Sequence, residues 1–399
     1  MKIVFQNGRI IQGTGDVIEN GTVVIEDGVF GFVGPSRGVR ITDKATLFDL
    51  SGKTMMPGLI DCHVHICLDG GPDPVTSLFR DSIPMMTLKA ALHARSTLEA
   101  GVTTIRDLGG VHYVDLAIRD AIESKLIPGP RMICCGKLVC MTGGHGWQFG
   151  QEANGSSRVR EAVREQLKRG ANVIKLMATG GVMTKGVDAG VPQFTVEELT
   201  AGVEEAQKAG RRTASHCQGN EGIKNALEAG IDSIEHGVGL DEETIELMLK
   251  KRAFVVPTLN APYQILKHGT KRGIPSFVVE KTKLLVKSHQ QGLKKAYRAG
   301  VPVAMGTDAG IPFNCHGENG KELELLVKLG LSPLDAITAS TKTASEVLEL
   351  EKRIGTLENG KVADLIVIKG NPLQDISLLQ DREKILAIMK EGLFYKCGL

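Results

Sequence analysis

The chain has 399 residues, of which 42% are hydrophobic and 24% charged, values that are typical of a globular enzyme. Its 48 basic and 46 acidic residues give a net charge of +2 and form no block of like charge, so we expect neither nucleic acid nor a membrane as a partner. No apolar run reaches the roughly 18 residues of a membrane span and no secretory leader is recognisable, which predicts a cytoplasmic protein.

The two ends of the chain are β-rich. Residues 1–57 alternate short β-rich segments with glycine turns, which predicts a small antiparallel sheet. Residues 353–399 return to this pattern after a helical stretch, Pro333–Leu348. We predict that 1–57 and 353–399 together form one composite β-sandwich domain; the alternative is two separate sheets.

Residues 58–352 alternate short apolar strands with longer amphipathic helices, the pattern of parallel βα units. Eight such units are what a (β/α)₈ TIM barrel requires. The eight predicted strands are Leu59–Ile66, Thr103–Leu108, Arg131–Val139, Asn172–Ala178, Arg212–Cys217, Ser233–Gly237, Phe254–Leu259 and Val303–Asp308. Among the helices, Thr195–Ala209 opens with Thr195 and Glu198 at the spacing of a capping box.

Two histidines stand two residues apart on the first predicted strand, His63 and His65. Because side chains alternate between the faces of a strand, the two imidazoles project in the same direction and can reach one metal ion. Taken alone, such a pair belongs more often to a core or a surface than to a metal site.

A lysine, Lys175, stands inside the apolar fourth strand. Burying an ammonium ion without a partner is costly. One explanation is snorkelling or a salt bridge. The other is a lowered pKa and reaction of the neutral amine with CO₂, which gives an anionic carbamate able to bridge two metal ions.

Three further candidate ligands end predicted strands: His216 the fifth, His236 the sixth and Asp308 the eighth. Catalytic groups of a (β/α)₈ barrel lie at these strand ends. Together with the histidine pair and the strand-four lysine, they form a set that packing alone does not explain. The set predicts a metal-dependent hydrolase.

The sequence resembles the amidohydrolase superfamily over nearly its whole length, and most closely the branch described as imidazolonepropionase-like or Xaa-Pro dipeptidase-like. The motifs that carry the resemblance are Pro57-Gly58-Leu59-Ile60-Asp61-Cys62-His63-Val64-His65, Thr103-Thr104-Ile105-Arg106-Asp107-Leu108-Gly109-Gly110, Ile174-Lys175-Leu176-Met177-Ala178-Thr179-Gly180-Gly181, His216-Cys217-Gln218-Gly219, Ile234-Glu235-His236-Gly237, Gly306-Thr307-Asp308-Ala309-Gly310 and Asn359-Gly360-Lys361-Val362-Ala363-Asp364-Leu365.

By this resemblance, the chain binds two divalent metal ions through six side chains. The implied ligands are His63, His65 and Asp308 for one ion, His216 and His236 for the second, and a carbamate formed from CO₂ on Lys175 as the bridge between them. Zinc is the default expectation for nitrogen and oxygen ligands, although manganese, cobalt and iron accept similar donors.

Two such ions can hold a bridging water and lower its pKa, and we expect the resulting hydroxide to attack the substrate carbonyl. Asp308 would act as the catalytic proton shuttle to the leaving amine. In similar peptidases the histidine of Gly144-His145-Gly146-Trp147 contacts substrate, so His145 is a second catalytic or substrate-binding candidate; the alternative is a supporting or ordinary loop histidine.

Two more residues are candidates for substrate binding. Lys185 lies in the glycine-rich loop Met183–Gly190 after the fourth strand, where it could meet an anionic group under a lid. His316 follows the eighth strand and faces the pocket or serves a structural role. Arg106 and Asp107 are interpreted as structural or supporting residues.

The leading functional hypothesis is hydrolysis of a small-molecule amide or peptide bond, in a dipeptide such as Xaa-Pro or in an N-acyl amino acid. The alternative is a lactam, carbamate, urea or ester substrate. Imidazolonepropionases and related deaminases use one metal and lack the strand-four lysine, so Lys175 argues against both. An inactive scaffold is disfavoured because all six ligands are present. Relatives commonly form homo-oligomers, which we expect here only by analogy.

Overall fold

Both ends of the chain contribute strands to one β-sheet. The computed structural model describes residues 2–37 and 45–399, so Met1 and residues 38–44 of the predicted β-rich region lie outside the described residues. The terminal strands are β1 (Lys2–Ile11), β2 (Val17–Glu26), β3 (Val29–Pro35), β4 (Ala45–Asp49), β5 (Lys53–Pro57), β15 (Leu365–Lys369), β16 (Ile385–Lys390) and β17 (Leu393–Cys397).

Within the described residues these strands follow the order β17-β16-β15-β5-β1-β2-β3, and β4 pairs with β1. The two chain ends meet where β15 runs antiparallel to β5, from Leu365 opposite Pro57 to Lys369 opposite Lys53. The inward faces of these strands enclose a small hydrophobic core of their own. The domain bounds of 1–57 plus 353–399 and of 58–352 stay a prediction.

The central part of the chain builds parallel strands separated by helices. Its strands are β6 (Leu59–Val64), β7 (Val102–Asp107), β8 (Arg131–Cys134), β9 (Val139–Cys140), β10 (Gln151–Glu152), β11 (Val173–Met177), β12 (Arg212–Cys217), β13 (Ser233–His236) and β14 (Phe254–Val256). They form two parallel sheets, β6-β7-β8 and β10-β9-β11-β12-β13-β14. Strands such as β11 are buried along their whole length, as expected when helices cover a parallel sheet.

The helices follow the strands in alternation and cover the sheets. They are α1 (Pro74–Arg80), α2 (Ile83–Glu99), α3 (Val114–Glu123), α4 (Gly155–Lys168), α5 (Val196–Lys208), α6 (Asn220–Ala229), α7 (Glu242–Lys251), α8 (Asn260–His268), α9 (Ser276–Ala299), α10 (Gly320–Leu329), α11 (Pro333–Ala339) and α12 (Lys342–Val347). The capping box predicted at Thr195 and Glu198 is present at the start of α5. Within the described chain, no helix combines the length and apolarity needed to cross a bilayer.

Three predicted elements were wrong in extent. The strand predicted over Arg131–Val139 divides into β8 and β9, because Gly136 takes a left-handed φ of 68° between them. The strand predicted over Phe254–Leu259 ends at Val256, since the next residue, Pro257, has no N–H to donate. The helix predicted over Pro333–Leu348 is two helices, α11 and α12.

The eighth predicted strand, Val303–Asp308, is not a regular strand in the structure. The carboxylate of Asp61 accepts the N–H of Thr307 at 3.0 Å and its hydroxyl at 2.6 Å, so a side chain takes the place of a ladder partner. The segment still bonds to both neighbouring strands: the N–H of Ala304 donates to β14 at 3.0 Å, and that of Asp308 donates to β6 at 2.7 Å.

On the opposite side of the two sheets, the N–H of Asn172, next to β11, donates to the carbonyl of Cys134 at the end of β8, at 2.8 Å. Backbone hydrogen bonds therefore connect the two sheets on both sides. The chain is an α/β protein, and the closed eight-stranded barrel stays a prediction that these bonds support.

One buried ion-pair cluster joins the terminal sheet to the parallel strands. Arg131, on β8, donates to Asp364 at 2.6 Å and to Glu391 at 2.9 Å. The Arg131 side chain is 10% exposed and that of Asp364 is 3% exposed. Removing one partner of such a pair leaves the other charge buried and uncompensated.

We predict that Arg131→Ala lowers the free energy of unfolding by about 3 kcal/mol, measured by chemical denaturation. The matched control is Arg158→Ala, because Arg158 pairs with Glu161 on the solvent side of α4, where the two side chains are 71% and 65% exposed. The control should cost at most about 1 kcal/mol. Equal losses in the two variants would contradict the buried linkage.

Candidate metal centre

All six predicted ligand side chains line one cavity of about 920 Å³, a volume that includes the solvent at its mouth. They are His63, His65, Lys175, His216, His236 and Asp308. They come from β6 and the residue directly after it, from β11, β12 and β13, and from the end of the 303–308 segment. The structure thus brings together residues separated by up to 245 positions in sequence, at the strand ends where parallel barrels carry their chemistry.

Three of these side chains form a compact group that can hold a cation. The Nε2 atoms of His63 and His65 lie 3.5 Å and 3.4 Å from Oδ1 of Asp308. One ligand atom from each of the three residues lies within 4.8 Å of the others. Two imidazoles and one carboxylate are a donor set that suits zinc and other divalent transition metals.

The other two histidines lie beside this group. The ring centroid of His236 is 5.1 Å from that of His63 and 4.6 Å from that of His216. His236 and Asp308 both adopt left-handed backbone conformations, with φ of 68° and 61°. Such conformations are costly for residues other than glycine and concentrate at functional sites.

Carbonyl partners determine which ring nitrogen of two histidines is free. Nδ1 of His65 lies 3.3 Å from the carbonyl oxygen of Gly109, and Nε2 of His216 lies 3.3 Å from that of Gly180. Because a carbonyl oxygen only accepts hydrogen bonds, these nitrogens carry the hydrogens. A lone pair therefore remains on Nε2 of His65 and on Nδ1 of His216.

A threonine determines the tautomer of His236 in the same way. The Thr258 hydroxyl donates to the carbonyl of Pro257 at 2.8 Å, so it accepts from Nδ1–H of His236 at 2.7 Å. Nε2 of His236 is left with its lone pair. His289, on α9, fixes the same strand ends by donating from Nε2 to the carbonyls of His236 and Pro257 at 2.8 and 3.0 Å.

A buried carboxylate orients His63. Oε2 of Glu235 accepts from Nδ1–H of His63 at 2.8 Å, which leaves Nε2 directed to Asp308. The other oxygen, Oε1, accepts from Nη2 of Arg106 at 2.8 Å and from the Ser233 hydroxyl at 2.7 Å. A carboxylate behind a histidine that binds a metal fixes the ring and raises its basicity.

Sequence reasoning missed the role of Glu235. It lies next to a predicted ligand and is fully buried against Arg106, which was interpreted as a supporting residue. The argument applied to Lys175, that a charged residue inside an apolar strand needs a partner, also applies to Glu235 and Arg106. It would have found both residues but not their pairing.

The Lys175 amine is buried, with 2% of the residue exposed, and finds no hydrogen-bond partner among the described residues. Burial lowers its pKa, because the interior disfavours the charged ammonium form. Burial likewise lowers the pKa of His65 to about 4, so its ring is neutral near pH 7. An unpartnered amine beside neutral imidazoles is a site that a carbamate and cations would satisfy.

His145 is held at the wall of the cavity. Its backbone N–H donates to the side chain of Gln193 at 2.9 Å, and its Nδ1 lies 2.9 Å from the hydroxyl of Thr184. Its ring is 4.3 Å from that of His216. Only a glycine fits at position 181, since a Cβ there would come within 2.4 Å of the His145 ring.

The structure does not bring the other two candidates into the cavity. Lys185 is exposed and is not part of the cavity lining, although its neighbours Met183 and Thr184 are. His316 is buried outside the lining, where its Nε2 donates to the carbonyl of Leu68 at 3.0 Å. Their substrate contacts therefore have no geometric support.

Parallel strands whose ends gather imidazoles, a carboxylate and a buried amine around one cavity are typical of metal-dependent hydrolases. Residues 54–394 match the model of the amidohydrolase family, and the chain belongs to that family. It is a hydrolase of the imidazolonepropionase-like and Xaa-Pro dipeptidase-like branch, as the motifs predicted.

Three proteins illustrate what the chain is similar to in sequence and structure. The ochratoxinase of Aspergillus niger is 32% identical over 427 residues, which cover 98% of this chain and 85% of that protein; its crystal structure superposes with a TM-score of 0.89. A Xaa-Pro dipeptidase with methionine bound in its active site has a TM-score of 0.91 and 33% identity, over 99% of this chain and 100% of the other. A prolidase complexed with N-methylphosphonate-L-proline has a TM-score of 0.92 and 29% identity over the full length of both chains.

We predict that Glu235→Ala lowers the free energy of unfolding of the metal-free protein by about 3–5 kcal/mol, because the Arg106 charge stays buried without its carboxylate. Ser233→Ala removes a neutral hydroxyl that donates to this carboxylate and accepts from Nη1 of Arg106, but leaves the charge pair in place, and should cost about 1–2 kcal/mol. Urea denaturation of both variants checks this difference. A Glu235→Ala loss no larger than that of Ser233→Ala would show that the carboxylate carries no buried charge pair.

Proposed function

We propose that this protein is a binuclear metal-dependent hydrolase that cleaves the amide or peptide bond of a small substrate, a dipeptide or an N-acyl amino acid, at the mouth of a (β/α)₈ barrel. The observation that carries the proposal is the Lys175 amine. It is buried in the cavity that the four imidazoles and Asp308 line, and it has no hydrogen-bond partner among the described residues. No packing role accounts for an amine in that place.

The residues present fit two divalent cations. Nε2 of His63, Nε2 of His65 and the Asp308 carboxylate would hold one ion, while Nδ1 of His216 and Nε2 of His236 would hold the other. When bound, the two ions, with zinc the first expectation, supply Lewis acidity and lower the pKa of a coordinated water.

Lys175 would provide the bridge. Its neutral amine forms an N–C bond to CO₂ and loses a proton, and the product is a carbamate anion with two ligand oxygens. This reaction would replace a buried neutral amine by an anion that could help to hold the two cations. The depressed pKa of Lys175 favours it, since only the unprotonated amine attacks CO₂.

Asp308 is suited to move the proton. Burial raises the pKa of its carboxyl group to about 7 in the metal-free protein. A carboxyl group in this position can act first as base and then as acid. Its left-handed backbone holds the carboxylate toward His63 and His65. In our proposal Asp308 takes a proton from the attacking water and delivers it to the leaving amine.

His145 would contact the substrate. Because Thr184 engages Nδ1, the opposite edge of the ring remains for a ligand in the cavity. Burial lowers the pKa of His145 to about 3, so the ring is neutral and offers a hydrogen bond without a charge.

A second candidate is a non-peptide amide, carbamate, urea, lactam or ester. It is favoured by Val238, which lines the cavity two residues after His236 and offers neither a hydroxyl nor a charge to a peptide. A cytoplasmic location and a homo-oligomeric state stay predictions.

We predict that Lys175→Ala lowers the metal content from two ions per chain and reduces kcat/KM by about 10³-fold. Without the bridging carbamate the metal ions no longer polarise the substrate carbonyl, which removes several kcal/mol of transition-state stabilisation. The measurements are elemental analysis and a panel of dipeptides and N-acyl amino acids. Formate or acetate should restore part of both properties by replacing the carbamate oxygens.

The control is Lys168→Ala on α4, whose side chain is 76% exposed and which should behave as the parent protein does. Full metal content and activity in Lys175→Ala would end the bridging proposal. A parent protein that holds two metal ions yet hydrolyses no member of the panel would end the assignment of its substrate class.

We predict that Thr258→Val weakens metal binding by about 10–100-fold, because Nδ1–H of His236 loses its acceptor and the ring its fixed tautomer. Thr258→Ser keeps the hydroxyl and should retain parental affinity. Competition with a chromogenic chelator measures both variants without any turnover. Equal affinities for the valine and serine variants would remove the role assigned to the Thr258 hydroxyl.

A further inference from the structure

The side of the cavity formed by α8 and α9 is apolar. Helix α8 contributes Ala261, Pro262 and Ile265 to the lining, and α9 contributes Leu285 and Val286. The two helices pack against each other, so these side chains form one continuous surface, here called the α8–α9 wall. Large apolar pockets with a few polar groups are the usual form of small-molecule sites.

Apart from the proposed metal ions, the cavity offers few basic side chains to a negatively charged group. Among the described residues that line it, Lys175 is the single lysine or arginine, and it would become an anion as the carbamate. The nearby Lys281 of α9 is occupied, since its ammonium group donates to the carbonyls of Thr184 and Val187. Lys185 is exposed outside the lining. A substrate carboxylate buried against the α8–α9 wall, away from the proposed metal ions, would find no lysine or arginine in the described lining, at a high desolvation cost.

On the basis of the proposed function, we infer that the enzyme selects amides with a bulky, uncharged, apolar group, aromatic or branched aliphatic, which packs on the α8–α9 wall. Recognition comes from this apolar group. A free carboxylate on the substrate stays in the solvent at the mouth of the cavity and contributes no anchor. This separates the site from one that selects dipeptides by their terminal carboxylate.

Two adjacent leucines of α9 provide a matched pair of variants. Leu285 lines the cavity, whereas Leu284 points to solvent and is 80% exposed. Both lie in the same turn of the same helix, so substitution by asparagine changes helix propensity equally. Only Leu285→Asn places a polar group on the wall.

The test uses metal-loaded protein and four substrates: N-acetylalanine, N-benzoylalanine, N-acetylphenylalanine and N-benzoylphenylalanine, each as the free acid and as the C-terminal carboxamide. We expect kcat/KM to be at least about tenfold higher for the best of the three aromatic substrates than for N-acetylalanine. Each carboxamide should match its acid within about threefold. Carboxamides slower by more than about tenfold would reveal a carboxylate anchor and overturn the inference.

Leu285→Asn should lose about tenfold in kcat/KM on the bulky substrates and little on N-acetylalanine. Leu284→Asn should match the parent on all of them. Equal kcat/KM values for the two variants would show that the α8–α9 wall takes no part in substrate selection.

Binding gives a readout that does not depend on turnover. Trp147 is the single tryptophan of the chain, is 46% exposed and stands between Gly146 and Gln148, which line the cavity. Titrating metal-free protein with N-benzoylphenylalanine carboxamide should change its fluorescence, with the affinity lowered about tenfold in Leu285→Asn and unchanged in Leu284→Asn.

The two proposals fail in different ways. A protein that hydrolyses none of the amides contradicts the proposed function, while the fluorescence titration still tests the wall. A protein that hydrolyses all of them at similar rates contradicts only the apolar selection.

Discussion

A primary amine in the protein interior is the constraint around which the candidate site is organised. On β11, Lys175 can neither reach solvent nor pair with an acid within hydrogen-bonding distance among the described residues. Burial suppresses its charge and that of the surrounding imidazoles, so the strand ends present a collection of lone pairs. Protein groups alone leave these lone pairs poorly satisfied, and metal cations together with a carbamate on Lys175 would satisfy them. The stability of this part of the fold and its chemistry are therefore linked.

The direction of each imidazole depends on a partner from another part of the chain. Glu235 of β13 orients a ring on β6, Thr258 after β14 orients the ring that ends β13, and backbone carbonyls orient the other two. The partners lie on or directly after the strands, where the backbone is held by neighbouring strands. The lone pairs are thus positioned before any ion arrives, which reduces the ordering that binding must impose.

The sequence predicted the residue types of the site better than their partners. The six candidate ligands could be identified because each interrupts an apolar strand or ends it, and that pattern is local. The pairing of Glu235 with His63 spans 172 positions and has no local pattern. The eighth strand was predicted wrongly for the same reason, because its backbone partner is replaced by the side chain of the distant Asp61. The third strand was predicted wrongly because one glycine adopts a left-handed backbone and divides it. Lys185 and His316 were predicted from proximity to strand ends, but loop direction placed them outside the cavity.

The pairing of β5 with β15 has a consequence for biosynthesis. Strand β5 ends at residue 57, and its antiparallel neighbour begins at residue 365. During translation, the N-terminal strands leave the ribosome with an open edge that stays unmatched until residue 365 has been made. Everything between, including the strands that carry the candidate ligands, is synthesised while that edge is exposed. Because an open strand edge can pair with another chain, early folding of the central region would protect the nascent chain from association on a polysome.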